Sequence, residues 1–256
     1  MIDCILHGDS FDLVKDIPDH SIDLILEDMP YNSTNCEWDV KIDLELYWET
    51  RLRILKPTGV VILTASQPFT TDVIVSNRGM FKYELIWNKN MPTGAFNANK
   101  RPLKGHENIL VFYDRQPVYN PIKTKRSEDE LKRFMIKPIV TKIKNSVYGE
   151  FERTVLGRDA IYKMPDSKLF FDVVNGRNGD KEEHPTQKPV GLFEYLIRTY
   201  TNEGDLVFDG FGGSGTTAIA ASKCNRHFIV IEKEKKYFDA SQKRLTEFRS
   251  QLKLAI

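Results

Sequence analysis

The stretch Leu206-Val207-Phe208-Asp209-Gly210-Phe211-Gly212-Gly213-Ser214-Gly215-Thr216-Thr217 restricts the fold more than any other part of the chain. A β-forming run ends on an acid, passes through four glycines and enters Ala218-Ile219-Ala220-Ala221, a good helix opening. Glycine lets a backbone turn sharply and lets a ligand approach without meeting a Cβ. The N–H groups at the start of the following helix suit a carboxylate or a phosphate. About twenty residues further on, where an acid can hold a ribose diol, Phe228-Ile229-Val230-Ile231 ends at Glu232. Strand, loop, helix and second strand together read as a cradle for a nucleoside-containing cofactor.

Gly210, Gly212 and Gly215 satisfy G-x-G-x-x-G, the dinucleotide fingerprint. Two features oppose a dinucleotide. Asp209 would face a pyrophosphate at close range, and the unit begins near residue 206 of 256, leaving too little chain for the rest of a dinucleotide domain. S-adenosylmethionine (SAM) has no phosphate and carries an ammonium that Asp209 can pair, so these residues favour SAM.

Ahead of the cradle the chain alternates strands and helices. Asp3 to Leu6 reads as a strand, and Ser10 as the N-cap of a short helix carrying Phe11, Leu13, Val14 and Ile17. Ser21 to Leu26 is a buried type of strand ending at Glu27-Asp28-Met29-Pro30-Tyr31, which delivers another acid to a strand tip. Leu44 to Leu55 reads as an amphipathic helix stopped by Lys56-Pro57-Thr58-Gly59. Gly59–Leu63, Tyr83–Trp87 and Asn108–Tyr113 read as strands, with a helix over Phe69–Ser76. Pro189 suits the first position of a helix bearing Leu192, Phe193, Leu196, Ile197 and Tyr200, and a charged helix closes the chain. This order implies a parallel α/β sheet covered on both faces.

The region from Arg115 to about Lys168 breaks the pattern with a basic excess and interleaved aromatics. Formal net charge is only +1, so any nucleic-acid surface must be local. Read from residues alone, this stretch is either a solvated insert or a surface offering cations to phosphates and rings to bases. Cys4, Cys36 and Cys224 are scattered and lack C-x-x-C spacing, which predicts reduced cysteines in a cytoplasmic protein and no metal framework. No membrane span or signal peptide is expected.

The motifs, taken together, resemble the beta-class DNA amino-methyltransferases, which use SAM to methylate N6 of adenine or N4 of cytosine. Asp28-Met29-Pro30-Tyr31 resembles that family's catalytic D/S-P-P-Y/F block, and Phe211 to Gly215 its F-x-G-x-G block. Gly8-Asp9-Ser10, Leu55 to Gly59, Trp87-Asn88-Lys89, His106 to Phe112 and His184-Pro185-Thr186-Gln187-Lys188-Pro189 resemble further blocks of the family. The resemblance implies a Rossmann-like methyltransferase sheet in circularly permuted motif order, with a target-recognition insert. Domain bounds expected on this basis are 1–114 and 181–256 for the two halves of the catalytic domain and 115–180 for the insert.

The resemblance also implies roles. Asp28 and the carbonyl of Met29 would accept hydrogen bonds from the target amine, Pro30 would keep Met29 extended, and Tyr31 would stack on the flipped base. Asp209, Phe211, Gly213 and Gly215 would hold the methionine part of SAM. Thr186 and Thr217 would take its carboxylate, Glu232 its ribose, and Asp9 with Ser10 its adenine. Lys123, Lys125 and Arg126 would contact DNA, the expected partner. No metal is required, and a homodimer is one state open to the chain. Adenine is favoured over cytosine, because N4-cytosine members often carry serine where Asp28 stands, and a place in restriction–modification is implied. Two departures stand out: Met29 replaces the usual proline, leaving a catalytically silent partner subunit as an alternative, and Gly210 replaces the proline between acid and Phe.

Overall fold

The computed structural model describes residues 2–31, 41–135, 140–145, 149–154, 161–173 and 187–254. Its strands, in chain order, are β1 (Cys4–His7), β2 (Ile22–Glu27), β3 (Leu55–Ala65), β4 (Phe81–Thr93), β5 (Lys104–Phe112), β6 (Thr124–Lys125), β7 (Val140–Asn145), β8 (Gly149–Thr154), β9 (Tyr162–Lys163), β10 (Lys168–Phe170), β11 (Leu206–Asp209) and β12 (His227–Glu232). The α-helices are α1 (Ser10–Leu13), α2 (Leu44–Ile54), α3 (Phe69–Ser76), α4 (Glu128–Met135), α5 (Val190–Tyr200), α6 (Thr216–Lys223) and α7 (Lys235–Leu254).

The chain forms two compact units, Pro121–Asp166 and the remainder. In the larger unit one sheet runs β1-β12-β11-β2-β3-β5-β4-β10. Its apolar residues alternate between two cores. Leu24, Leu26, Val60 and Ile62 pack with α5, α6 and α7, whereas Ile25, Val61 and Leu63 pack with α2 and α3. Helices therefore cover both faces. The expected all-parallel sheet needs one correction, since β5 is antiparallel to both β3 and β4. The reason is local: residues 94–103 alone connect β4 to β5, and a parallel pairing needs a crossover of about a dozen or more residues.

Other departures are also local. The N-cap of α1 is Asp9, whose Oδ1 accepts from the Phe11 N–H at 2.9 Å, and not Ser10, which is buried. Pro189 is the N-cap of α5, one position earlier than expected. The chain runs from α2 directly into β3, so Pro57 lies inside a strand. The β2–β3 register shifts there, between Ile22↔Leu55 and Leu24↔Val60, and such an irregularity is where a strand tolerates proline.

In the smaller unit β6 pairs antiparallel with β9, and β7 with β8. The segments on either side of it belong to the larger unit: the Asn120 N–H donates to the Thr199 carbonyl at 2.7 Å, and β10 pairs with β4. Among the described residues no helix is long and apolar enough to cross a membrane.

The sheet places its site by topology. From β11 the chain crosses to β12 on one side, and from β2 it crosses to β3 on the other, while β11 and β2 are parallel neighbours. Their carboxyl ends form the switch point at which open α/β sheets bind ligands. Asp209 ends β11, and Asp28 immediately follows β2.

Candidate functional site

The glycine loop closes over the ends of β11 and β12. The Gly212 N–H donates to the Ile231 carbonyl at 2.8 Å, so tightly that a Cβ on Gly212 would lie 2.3 Å from Val230 Cγ1. Gly213 has φ 50°, a left-handed conformation suited to glycine, and its N–H donates to Glu232 Oε2 at 2.7 Å. Glu232 Oε1 accepts from the Glu234 N–H at 2.7 Å. Burial raises the Glu232 carboxyl above its ordinary range, with these N–H groups working against the rise.

Asp209 is buried, and among the described residues its donors are neutral. Its Oδ1 accepts from the Phe211 N–H at 2.9 Å, and its Oδ2 accepts from the Thr217 hydroxyl. Among the described residues no cation pairs with it. Burial pushes its carboxyl up to about 8; the Thr217 bond opposes the rise and the nearby Glu27 charge adds to it.

A buried ionic frame holds the cradle to the β2 tip. Arg51 Nε donates to Glu27 Oε1 at 3.0 Å, and both side chains are fully buried. The Tyr47 hydroxyl donates to Glu27 Oε2 at 2.5 Å, and the Gly210 N–H to Oε1 at 2.9 Å. Arg51 Nη2 donates to Ser10 Oγ at 2.8 Å, and the guanidinium lies within 6 Å of the Phe11, Tyr47, Phe208 and Phe211 ring centres, at the separation of cation–π contacts. Four elements thus meet on one charge pair. The frame explains Gly210. Proline there would have no N–H for Glu27, and a Cβ would sit 2.3 Å from Arg51 Nη2.

At the neighbouring tip Asp28 is held by three donors. Oδ1 accepts from the Tyr31 hydroxyl at 2.8 Å and from the Thr64 hydroxyl, and Oδ2 accepts from Lys188 Nζ at 2.5 Å. Lys188 also lies 3.4 Å from Glu107 Oε2, and Lys89 pairs with Glu107 Oε1. Burial works to lower the Lys188 ammonium, but the Asp28 and Glu107 carboxylates more than reverse it, so its value is raised. Burial and the Asp28 charge push the Tyr31 phenol well up, so it stays protonated as a donor. A carboxylate offers about four acceptor positions. Among the described residues Oδ1 accepts from Tyr31 and Thr64, whereas Oδ2 accepts from Lys188 alone, which leaves it a position for one further donor.

The two tips open into one cavity of about 360 Å³. Asp9, Ser10, Asp28, Met29, Pro30, Tyr31, Asp209, Phe211, Gly213, Thr217 and Glu232, all expected from the sequence, line it. Several are committed in ways the sequence did not disclose. Asp9 caps α1 and pairs through Oδ2 with Lys233 at 3.0 Å; burial tends to raise its carboxyl, but the Phe11 N–H and Lys233 bring it below the usual range. The Ser10 hydroxyl accepts from Arg51, and the Thr217 hydroxyl is spent on Asp209. Met29 is buried, with its side chain in the core against α2 and α3. One face of the Tyr31 ring packs on Phe69, with ring centres 5.3 Å apart. Gly215 does not line the cavity. At φ 75° it packs against α7, where a Cβ would lie 2.9 Å from Ser241 Cβ. Thr186 lies outside the described residues.

In the smaller unit Lys123 and Lys125 are exposed, whereas Arg126 is half-buried with its N–H bonded to the Ile161 carbonyl at 2.8 Å.

Sequence reading missed Lys188, Glu107, Thr64, Glu27 and Arg51. Lys188 and Glu107 lie inside stretches recognised only as similar to family blocks. Arg51 carried a usable signal: it shares a helical face with Tyr47 and Ile54, where a charge requires a buried partner.

The donor set fits SAM better than a dinucleotide. Asp209 has no cation beside it among the described residues, and a second acid, Glu232, lines the same cavity, so the loop offers acceptors to an ammonium and a ribose and no counter-charge to a pyrophosphate. The fold and the paired acidic tips define a Rossmann-like α/β methyltransferase. The family profile for DNA methylases (N6_N4_Mtase) matches residues 22–243, and the chain belongs to that family. It is 30% identical to the Type II methyltransferase M.BglII of Bacillus subtilis over 92% of this chain and 66% of the relative. It is 28% identical to the Type II methyltransferase M.HinfI of Haemophilus influenzae over 97% of this chain and 69% of the relative. The chain thus spans about two thirds of these relatives' length. The crystal structure of the M1.HpyAVI–SAM complex superposes with TM-score 0.64 at 25% identity, covering 94% of this chain and 98% of that one. The PvuII DNA methyltransferase, described as cytosine-N4-specific, shares the fold with TM-score 0.63 at 19% identity, covering 96% and 91%.

Proposed function

We propose that this chain transfers a methyl group from SAM to the exocyclic amine of a base flipped out of duplex DNA, with N6 of adenine as the target. The observation that carries the reading is the shared cavity, in which a cation-free acid at one strand tip lies beside a second acid keeping one acceptor position. SAM supplies the methyl on an already activated sulfonium.

The chain's residues do the rest. Asp209 would pair the cofactor's ammonium, the first N–H groups of α6 would suit its carboxylate, and Glu232 would accept from its ribose. An exocyclic amine is a poor nucleophile because its lone pair is delocalised into the ring. Asp28 Oδ2 and the Met29 carbonyl accept from its two N–H bonds, drawing the nitrogen toward tetrahedral geometry and stabilising the positive charge that develops. Tyr31 offers the flipped base the ring face opposite Phe69; such stacking contributes about 1–3 kcal/mol. Lys123, Lys125 and Arg126 contact phosphates, which position the duplex without reading its sequence.

N4-cytosine methylation uses the same amine chemistry, and the fold shared with the PvuII enzyme keeps it as a second reading. The test is modified-base sequencing of plasmid DNA from methylation-deficient cells expressing the chain. N6-methyladenine at a fixed motif is expected. N4-methylcytosine would move the target to the second reading, and unmodified DNA would overturn both.

A further inference from the structure

The β4–β5 hairpin carries the one large hydrophobic side chain of the described residues that is fully exposed, Phe96. Sheet topology decides where it points. β2 and β3 are parallel, β3 and β5 antiparallel, and β5 and β4 antiparallel, so β4 runs in the same sense as β2. The hairpin turn therefore leaves the carboxyl edge of the sheet, the edge that carries Asp28. Its root is part of the site. Glu107, opposite Trp87 in the ladder, lines the cavity and pairs with Lys188 and Lys89. Beyond that root, Lys89 to Thr93 at about 3.3 Å per residue carry the tip about 16 Å past the cavity wall.

The tip is an ordered turn. Gly94 is left-handed at φ 93°, Ala95–Asn97 form a 3-10 turn, and the Asn97 carbonyl accepts from the Lys100 and Arg101 N–H groups at 2.9 and 3.0 Å. Lower on the hairpin, Asn90 Oδ1 accepts from the Val173 N–H at 2.8 Å and braces the strand. Met91 and Leu103, on the same hairpin, are exposed as well. Lys100, Arg101 and Lys104 are exposed on the same hairpin, and the sequence has no Asp or Glu between Glu84 and Glu107. An apolar tip on a hairpin that carries cations and no acid, leaving the same sheet edge as the proposed base site, matches a polyanion whose interior is apolar.

We propose that this hairpin is a wedge for duplex DNA: Phe96 enters the base stack at the gap left by the flipped base, and Lys100, Arg101 and Lys104 hold the flanking phosphates. Flipping a base costs its stacking and pairing, and an inserted apolar side chain offsets part of that cost. The inference rests on the function proposed above and adds the element that opens the duplex.

The test uses the full chain and a duplex carrying the site first mapped by sequencing DNA that the parent has methylated. Phe96→Ala should lower the single-turnover rate on the paired duplex about 10- to 100-fold, the scale of a lost unstacking contribution. The rate should return to within about threefold of the parent when the position opposite the target is abasic, because that base is already loosened. Phe96→Trp should retain most activity, and SAM affinity and Tm should not change. An equal loss on paired and abasic duplexes, or no loss on either, would overturn the wedge. A change in oligomeric state of the alanine variant in light scattering, with both rates kept, would assign the tip to a second copy of the chain. A parent that methylates no DNA would sink the function itself, an outcome visible before any variant is made.

Discussion

Two aspartates stand at neighbouring strand tips and open into one cavity, yet they are built differently. Among the described residues Asp28 is met by a buried ammonium and two hydroxyls, whereas Asp209 receives one N–H and one hydroxyl and no cation. Both are acids at the carboxyl edge of the same parallel pair. The difference lies in what each still lacks. Asp28 is neutralised and short of one hydrogen-bond donor, which suits an amine with no charge of its own. Asp209 is short of a positive charge, which suits an ammonium. A buried carboxylate without a counter-charge holds its proton, and that is the condition of Asp209, pushed up to about 8.

The hardest test of this division is Asp28→Ala. It removes the acceptor for the amine and should lower single-turnover methyl transfer by about 10²–10³-fold or more, the range for loss of one preorganised electrostatic partner. SAM affinity by calorimetry should stay near that of the parent. Affinity lost in step with rate would place Asp28 with the cofactor and erase the contrast.

Lys188→Met should act through Asp28, reducing the rate by about 10- to 100-fold with SAM affinity within about twofold. Lys188→Arg should recover much of the rate. A Lys188→Arg rate as low as that of Lys188→Met would make Lys188 a packing residue.

Asp209→Asn sharpens the other side and should weaken SAM about tenfold, the size of one partly screened charge pair. In the parent, Asp209 is protonated below about 8, while an ammonium beside it favours the carboxylate, so SAM binding releases a proton and tightens as pH rises toward 8. The SAM-free protein shows the complementary trend. The unfolded chain releases this proton near 3.8 and the folded chain near 8, so the folded state binds more protons between those values. Stability from this group therefore falls as pH rises through that window. Asp209→Asn should flatten both trends, as read by calorimetry and by Tm against pH.

The smallest effect is expected from Met29→Pro. The carbonyl that accepts from the amine is kept, so the rate per folded molecule should equal or exceed that of the parent. The Met29 side chain fills core space, however, and its loss should reduce stability by about 1–3 kcal/mol. A severe fall in single-turnover rate would show that this strand exit has a backbone proline cannot adopt.

Much of this was legible in the sequence because it depends on residues close together in the chain. A β-run ending in Asp209, followed by glycines and then a helix former, specifies its cradle locally, and the same holds for the strand that ends at Asp28. The helix over Phe69–Ser76 and the acid ending the strand before Lys233 were readable for the same reason. Residue types at those tips, with the motifs around them, were enough to point to amine methylation and SAM.

Tertiary structure decided which of those groups were already engaged. Lys188 reaches Asp28 across 160 positions, Arg51 reaches Glu27 across 24, and Ser10 is met by Arg51 across 41. None of these pairings has a sequence period, because each arises where two elements pack and a charge taken out of water must find a partner. The same holds for Thr217, expected to meet the cofactor's carboxylate until Asp209 took its hydroxyl, and for Gly210, whose need for an N–H and no Cβ exists only beside Glu27 and Arg51. Sequence alone determined the chemistry available at each strand tip. Only the packed fold determined how much of it remained free for a substrate, because satisfaction of buried charge is a property of three-dimensional neighbours.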